Sequence, residues 1–332
     1  MKKITALLAL LMLVGALAGC GKQNDINKTD KLSIVTTIFP EYDWVRAVLG
    51  DKADNAEVTM LLDNGVDLHS YQPTADDIVK ISDCDLFLYV GGESDGWVDD
   101  ALKNATNKNM KVINLLDVLG DSVKTEEVVE GMQETEHDHD HDHSKEVSTF
   151  EDEEEKDEHV WLSLKNAEVL VNAISKSLQE LDPDNKDTYA ANAAAYIEKL
   201  SALDGEYQAA VDAATYKTVV FGDRFPFRYL VDDYGLRYYA AFVGCSAETE
   251  ASFETVSFLA KKVDELKLPC VLTIEGAQHK IAETIVQNTA EKNQKVLTMD
   301  SLQSTSSKDV ANGTTYLSVM EKNLSVLKEA LG

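Results

Sequence analysis

Histidine is scarce in this chain, and its settings fall into two kinds. Of seven histidines, five lie between residues 135 and 163, in TEHDHDHDHSKEVSTFEDEEEKDEHVWLS. His137, His139, His141 and His143 alternate with aspartates, whereas His159 stands alone before Val160, Trp161 and Leu162. Imidazole is a ligand of zinc, copper and nickel, so both settings invite a metal. The repeat has no apolar neighbours to hold it in one geometry. Ordering it around an ion costs ~1–2 kcal/mol of backbone entropy per residue. It reads as a low-affinity capture loop or, more plainly, as a solubilising acidic linker. His69, in DNGVDLHSYQPTADDI, sits on a loop between a strand and a helix, where open α/β sheets gather ligands. His69 and His159 are candidates for a built site, although a lone loop histidine is often only hydrogen-bonded. In the second half, Glu275 of TIEGAQHK ends a strand, and His279 follows one turn later as either a ligand or a solvated helix residue.

The elements that must position these residues alternate regularly. Lys31–Phe39, Ala56–Leu62, Asp85–Val90 and Lys111–Leu115 read as strands, with helical spacing in Glu41–Gly50, Ala75–Ile81 and Trp97–Asn104. From Ser163 to about Ala214 the chain reads as helix, broken at Asp182-Pro183-Asp184, and its long alanine-rich part could act as a strut between lobes. The rhythm then resumes with strands at 217–221, 238–242, 270–274 and 295–299. Such alternation predicts an α/β protein of two Rossmann-like lobes with mainly parallel sheets, joined by a long helix. The predicted divisions are 1–19, a lipoprotein signal peptide; 20–30, a flexible tether; 31–120, the first lobe; 121–158, an acidic disordered loop; 159–214, the end of that lobe and the connecting helix; and 215–332, the second lobe.

Composition narrows the partners. With 59 acidic against 31 basic residues the 332-residue chain carries a formal charge of −28, which repels nucleic acid and anionic surfaces. Lys2, Lys3 and the apolar run Ile4–Leu17 form a targeting segment ending in Leu17-Ala18-Gly19-Cys20, which resembles a lipobox and implies lipidation of Cys20 outside the cytoplasmic membrane. Cys84, Cys245 and Cys270 remain; Cys245 and Cys270 either form a bridge or are buried thiols. No H-E-x-x-H, serine elbow or Walker loop is present, so no enzyme is expected.

TTIFPEYDWV, GVDLHSYQPTADDI, EHVWLSLKNA and IEGAQHKIAETI, in this order and spacing, resemble the zinc/manganese solute-binding lipoproteins that serve ABC importers. The resemblance covers Leu32 to Gly332. It implies a monomer that captures Zn²⁺, or Mn²⁺, between two lobes and delivers it to an ABC permease; a metal-dependent surface adhesin is the alternative. It further implies His69 and His159 as first-lobe ligands and Asp300, in LTMDSLQ, as an acid from the second lobe. Zinc members place a third histidine, and manganese members a glutamate, after the first strand of that lobe. Gly222 stands at the matching position here. Its neighbour Asp223 is either a substitute ligand or an ion-pair partner of Arg224 or Arg228. A histidine-rich loop at residues 137–143 is a feature of the zinc-type members.

Overall fold

The computed structural model describes residues 31–133, 155–246, 250–276 and 279–332. The signal peptide, the tether, Cys20 and His137, His139, His141 and His143 lie outside the described residues.

Four strands build the first sheet: β1 (Leu32–Thr36), β2 (Ala56–Met60), β3 (Leu86–Tyr89) and β4 (Lys111–Asn114), all parallel in the order β2-β1-β3-β4. β1 is rich in β-branched residues and its inner end is buried, as befits a strand covered on both faces. The crossovers carry α1 (Phe39–Leu49), α2 (Ala75–Asp83) and α3 (Val98–Lys103), and α4 (Leu115–Leu119) follows the last strand. Thr74 caps α2 by accepting from Asp77 N at 3.2 Å, so the helix starts directly after the loop that carries His69.

Two helices leave this lobe. α5 (Leu164–Leu181) is capped by Ser163, and α6 (Lys186–Ala213) runs for 28 residues. At 1.5 Å per residue α6 is ~42 Å long. Tyr189, Ala193, Tyr196, Leu200, Leu203, Tyr207 and Val211 are buried along it, spaced three or four apart and so forming one stripe. At one end Asn192 donates to Val48 O of α1 at 3.0 Å. At the other, Tyr207 donates to Met320 O at 2.6 Å. One helix thus touches both lobes.

The second sheet repeats the first, with order β6-β5-β7-β8 from β5 (Thr218–Phe225), β6 (Arg237–Val243), β7 (Cys270–Ile274) and β8 (Lys295–Met299). Its helices are α7 (Arg228–Tyr234), α8 (Phe253–Leu266), α9 (Lys280–Asn288), α10 (Ser307–Ala311) and α11 (Tyr316–Leu331). Trp161 of the first lobe donates its indole N–H to Ser301 O at 2.8 Å, and Tyr316 donates its hydroxyl to Trp161 O at 2.6 Å, tying the lobes at a buried point. Among the described residues no helix is long and apolar enough to cross a membrane.

One expectation needs correction. Residues 121–158 do not form one disordered loop: the roots are ordered, because Thr125 and Lys156 make an antiparallel bridge and Asp157 N donates to Lys124 O at 2.9 Å. Gln133 N also donates to Ala241 O of β6 at 2.9 Å. The sequence hid this because the pairing is backbone to backbone, with no apolar periodicity to betray it. Of the two alternatives left open for Cys245 and Cys270, the structure has free thiols, with Cys270 buried inside its own lobe.

Candidate metal centre

His69 lies in a single 3₁₀ turn, Leu68–Ser70, capped by Asp67, whose carboxylate accepts from His69 N at 3.0 Å. Its ring Nδ1 lies 2.8 Å from Ser94 Oγ and 3.6 Å from Glu158 Oε2. His159 is fully buried, immediately before a second short 3₁₀ turn, Val160–Leu162. One oxygen of Asp157 accepts from its backbone N at 2.9 Å and meets its ring Nδ1 at 3.0 Å. A carboxylate is an acceptor, so Nδ1 carries the hydrogen and Nε2 keeps its lone pair. The two Nε2 atoms then face each other at 3.2 Å.

Burial first, then the neighbouring His159 and Arg224, push the His69 imidazole down to about 3 against the opposing pull of Asp67. The His69 ring is therefore presented as a neutral lone-pair donor, which is the form a metal ion needs. Burial alone would raise the Asp67 carboxyl, but the Arg224 guanidinium overcomes it and holds that acid below the usual carboxylate range. Burial raises the Glu158 carboxyl above the usual carboxylate range.

The second lobe closes over this pair with residues the sequence did not single out. Arg224, near the end of β5, ion-pairs with Asp67 across the lobes. Asp67 also fixes the Gln303 amide: because a carboxylate only accepts, the amide nitrogen faces it, at 3.0 and 3.2 Å, and the amide oxygen lies 3.1 Å from His159 Nε2. Gln303 follows Leu302, whose φ of 65° costs a residue with a side chain of order 1 kcal/mol or more. At the end of β6, Gly244 lets the backbone pass close to His159; a Cβ there would fall 2.9 Å from the ring. Next to it is Cys245. One nitrogen from each of His69 and His159 and the Cys245 sulfur all lie within 4.8 Å of one another.

The other expected ligands are placed elsewhere. Gly222 faces away from the pair, since a Cβ on it would strike Ala282 of α9 at 2.4 Å. A register shift between Phe221 and Arg224 brings Arg224, not Gly222, to the position that reaches the first lobe. Asp223 accepts from Thr273 Oγ1 at 2.6 Å and from Arg224 N at 3.0 Å, and His279 Nδ1 is 3.2 Å from the same threonine hydroxyl. These two residues thus form a separate network within the second lobe, and neither arginine pairs with Asp223, since Arg228 is engaged by Glu127 and Asp232. Glu275 accepts from Ser301 N and Ser301 Oγ, each at 2.6 Å. Asp300 accepts from Leu302 N at 2.8 Å, and burial followed by the charge of Glu275 raises its carboxyl to about 6. Among the described residues none of these four joins the group of ligand atoms around His69 and His159. Glu275 and Asp300 instead brace the loop that carries Leu302 and Gln303. Cys245 had one sequence signal, a thiol beside a glycine at a strand end; Gln303 and Arg224 had none.

Comparison with known proteins agrees with this architecture. The family described as zinc-uptake complex component A, periplasmic, matches residues 34–330. The chain is 36% identical over 329 residues to the zinc-binding lipoprotein AdcA of Streptococcus pneumoniae, spanning 99% of this chain but only 61% of that longer protein. It is 32% identical to the high-affinity zinc uptake system protein ZnuA of Bacillus subtilis, covering 99% of this chain and 98% of the relative. The crystal structure of the Zn(II)-bound ZnuA-like domain of the pneumococcal AdcA superposes with a TM-score of 0.68 at 33% identity, covering 91% of this chain and 99% of that one. With two parallel four-stranded sheets, a long connecting helix and a facing pair of histidines, one of them fully buried, the chain belongs to the zinc-uptake complex component A family.

Proposed function

We propose that this protein is an extracytoplasmic zinc carrier: it takes up Zn²⁺ between its lobes, with His69 and His159 as ligands, and passes it to the permease of an ABC importer. The observation that carries the reading is the 3.2 Å separation of the two Nε2 atoms, with each Nδ1 engaged on its far side. Two nitrogens bound at about 2.0–2.1 Å to one tetrahedral ion stand roughly 3.3 Å apart. The rings thus already hold the spacing that a shared zinc ion demands. The names of the relatives, zinc-binding lipoprotein and zinc uptake protein, support zinc as the cargo. The Leu17-Ala18-Gly19-Cys20 segment supports a lipid anchor at Cys20.

No covalent chemistry is needed for this role. The carrier must hold the ion and then release it, and release requires the lobes to part. The contacts that parting would break are the Arg224–Asp67 pair and the Trp161–Ser301 hydrogen bond. His137, His139, His141 and His143 supply a weak capture loop whose roots stand beside the centre, since Asp157 belongs to a root and also orients His159. Titration calorimetry with Zn²⁺ tests the proposal on the full chain, on a chain lacking residues 136 to 145, and on a His69→Ala, His159→Ala double variant. One tight site should survive the deletion and vanish in the double variant. A tight site that persists without both histidines refutes the assignment.

A further inference from the structure

Two imidazoles leave a tetrahedral ion two ligands short, and the family's usual third-ligand strand supplies an arginine already committed to Asp67. We propose that Cys245 completes the centre as a thiolate ligand, which makes this a mixed nitrogen–sulfur site selective for zinc over manganese. The inference rests on the proposed zinc-carrier reading and names a ligand for it.

Three observations support Cys245. Its sulfur and one nitrogen of each ring lie within 4.8 Å of one another, although the residues are far apart in sequence. Bonds of about 2.0–2.1 Å to nitrogen and 2.3 Å to sulfur put tetrahedral N···S pairs roughly 3.6 Å apart, so a shift of at most about 1.2 Å assembles the set. The backbone that carries Cys245 is held against the pair: Gly244 has no Cβ to collide with His159, and Cys245 N donates to Glu126 Oε1 at 3.0 Å. Finally, Cys245 is in no disulfide; its thiol is hydrogen-bonded to Glu126, a contact that metal binding must displace. On binding, the thiol proton passes to solvent and the sulfur lone pair forms the metal bond. The Gln303 amide oxygen, 3.1 Å from His159 Nε2, faces the same space from the other side and suits the fourth position. Thiolate favours zinc, whereas manganese prefers oxygen ligands, so sulfur here decides the metal.

Cys245 also lies within 4.8 Å of Glu126 and Glu155, which sets up a rival: an ion held by the thiol and those two acids, away from the histidines. The discriminating experiment loads the full chain with Co²⁺ and with Zn²⁺. The Co²⁺ form should show a thiolate-to-metal charge-transfer band, and X-ray absorption of the Zn²⁺ form should show one sulfur at about 2.3 Å together with imidazole nitrogens. Cys245→Ser should abolish the band and the sulfur shell, leave the Co²⁺ d–d bands of a histidine-bound ion, and weaken zinc by more than about tenfold, the low end of what losing a supporting partner costs. It should also narrow the preference for zinc over manganese. An all-nitrogen-and-oxygen shell in the unsubstituted protein overturns the proposal while leaving the histidine centre standing. A sulfur shell that survives in the His69→Ala, His159→Ala variant overturns it in favour of the acidic rival. Far-ultraviolet circular dichroism of each variant, matching the parent, confirms that the fold is intact.

Discussion

From the first lobe come two imidazoles, each fixed by a polar partner on its Nδ1 side and each presenting Nε2 to the other at 3.2 Å. From the second lobe come an amide, a glycine–cysteine corner and an arginine paired to an acid across the crevice. The first set is preorganised by contacts almost wholly within its own lobe: Asp157, Glu158 and Ser94 orient the rings without help from the other side. The second set faces them from the other lobe, with Arg224 and Gln303 both held against Asp67 of the first. A carrier has conflicting needs, tight capture and complete release. In the proposed carrier, dividing the centre into a rigid half and a closing half would meet both, because parting of the lobes would withdraw the closing groups while the histidines keep their geometry.

Substitutions should therefore rank by the half they touch. His159→Ala removes a ligand of the rigid half and is expected to cost the most, well beyond the roughly 10–100-fold of an outer partner, as read by zinc competition against a chelator. Asp157→Asn keeps the ring but weakens its hold on the Nδ1 hydrogen; the expected loss is about 10–100-fold. Gln303→Ala removes an oxygen and a contact of the closing half, and a loss of about tenfold should appear mainly as faster dissociation. A loss for Gln303→Ala as large as that for His159→Ala would erase the distinction between the halves. Arg224→Gln has the opposite sign: it removes a positive charge near the ion and frees Asp67, so zinc should bind about two- to fivefold tighter at low salt, with the gain shrinking as salt rises.

The smallest effect on binding is expected from Glu41→Gln, whose consequence is for stability. Burial first, and then the charge of Asp95, raises the Glu41 carboxyl from 4.5 to about 8. The folded protein keeps that proton where the unfolded chain loses it, so stability is full below about pH 4.5 and falls as pH rises to about 8. Glutamine cannot ionise, so the variant should unfold at a denaturant concentration that depends less on pH, with its advantage over the parent largest near pH 8. Asp95, itself raised to about 7 chiefly by burial, leaves a residual slope of the same sign. Zinc affinity should be unchanged in this variant.

Much of the fold was legible because periodicity records burial. The predicted strands at 270–274 and 295–299 coincide with β7 and β8, and the helix expected at Ala75–Ile81 lies within α2, each a short element whose buried residues show in its pattern. β5 runs on to Phe225, past the expected end at Phe221, because a register irregularity lets a polar stretch, Gly222-Asp223-Arg224, remain in the strand. That misplacement explains why Gly222, rather than Arg224, looked like the residue addressing the centre. The roots of the acidic insertion were illegible for another reason: Thr125 and Lys156 are joined through backbone atoms that no side-chain pattern reports.

Sequence alone determined the chemistry that was scarce. Seven histidines in 332 residues make His69 and His159 conspicuous, and lone imidazoles on a strand-following loop and at the end of the acidic insertion already speak of a metal. Tertiary structure decided everything that depends on distance and direction. Two rings ninety residues apart meet nitrogen to nitrogen, Asp300 and Glu275 turn to brace a loop, and Cys245 comes within 4.8 Å of the pair. The physical reason is that ligand geometry must be right to a fraction of an ångström, whereas a strand register displaced by one residue shifts a side chain by about 3.3 Å and turns it to the other face.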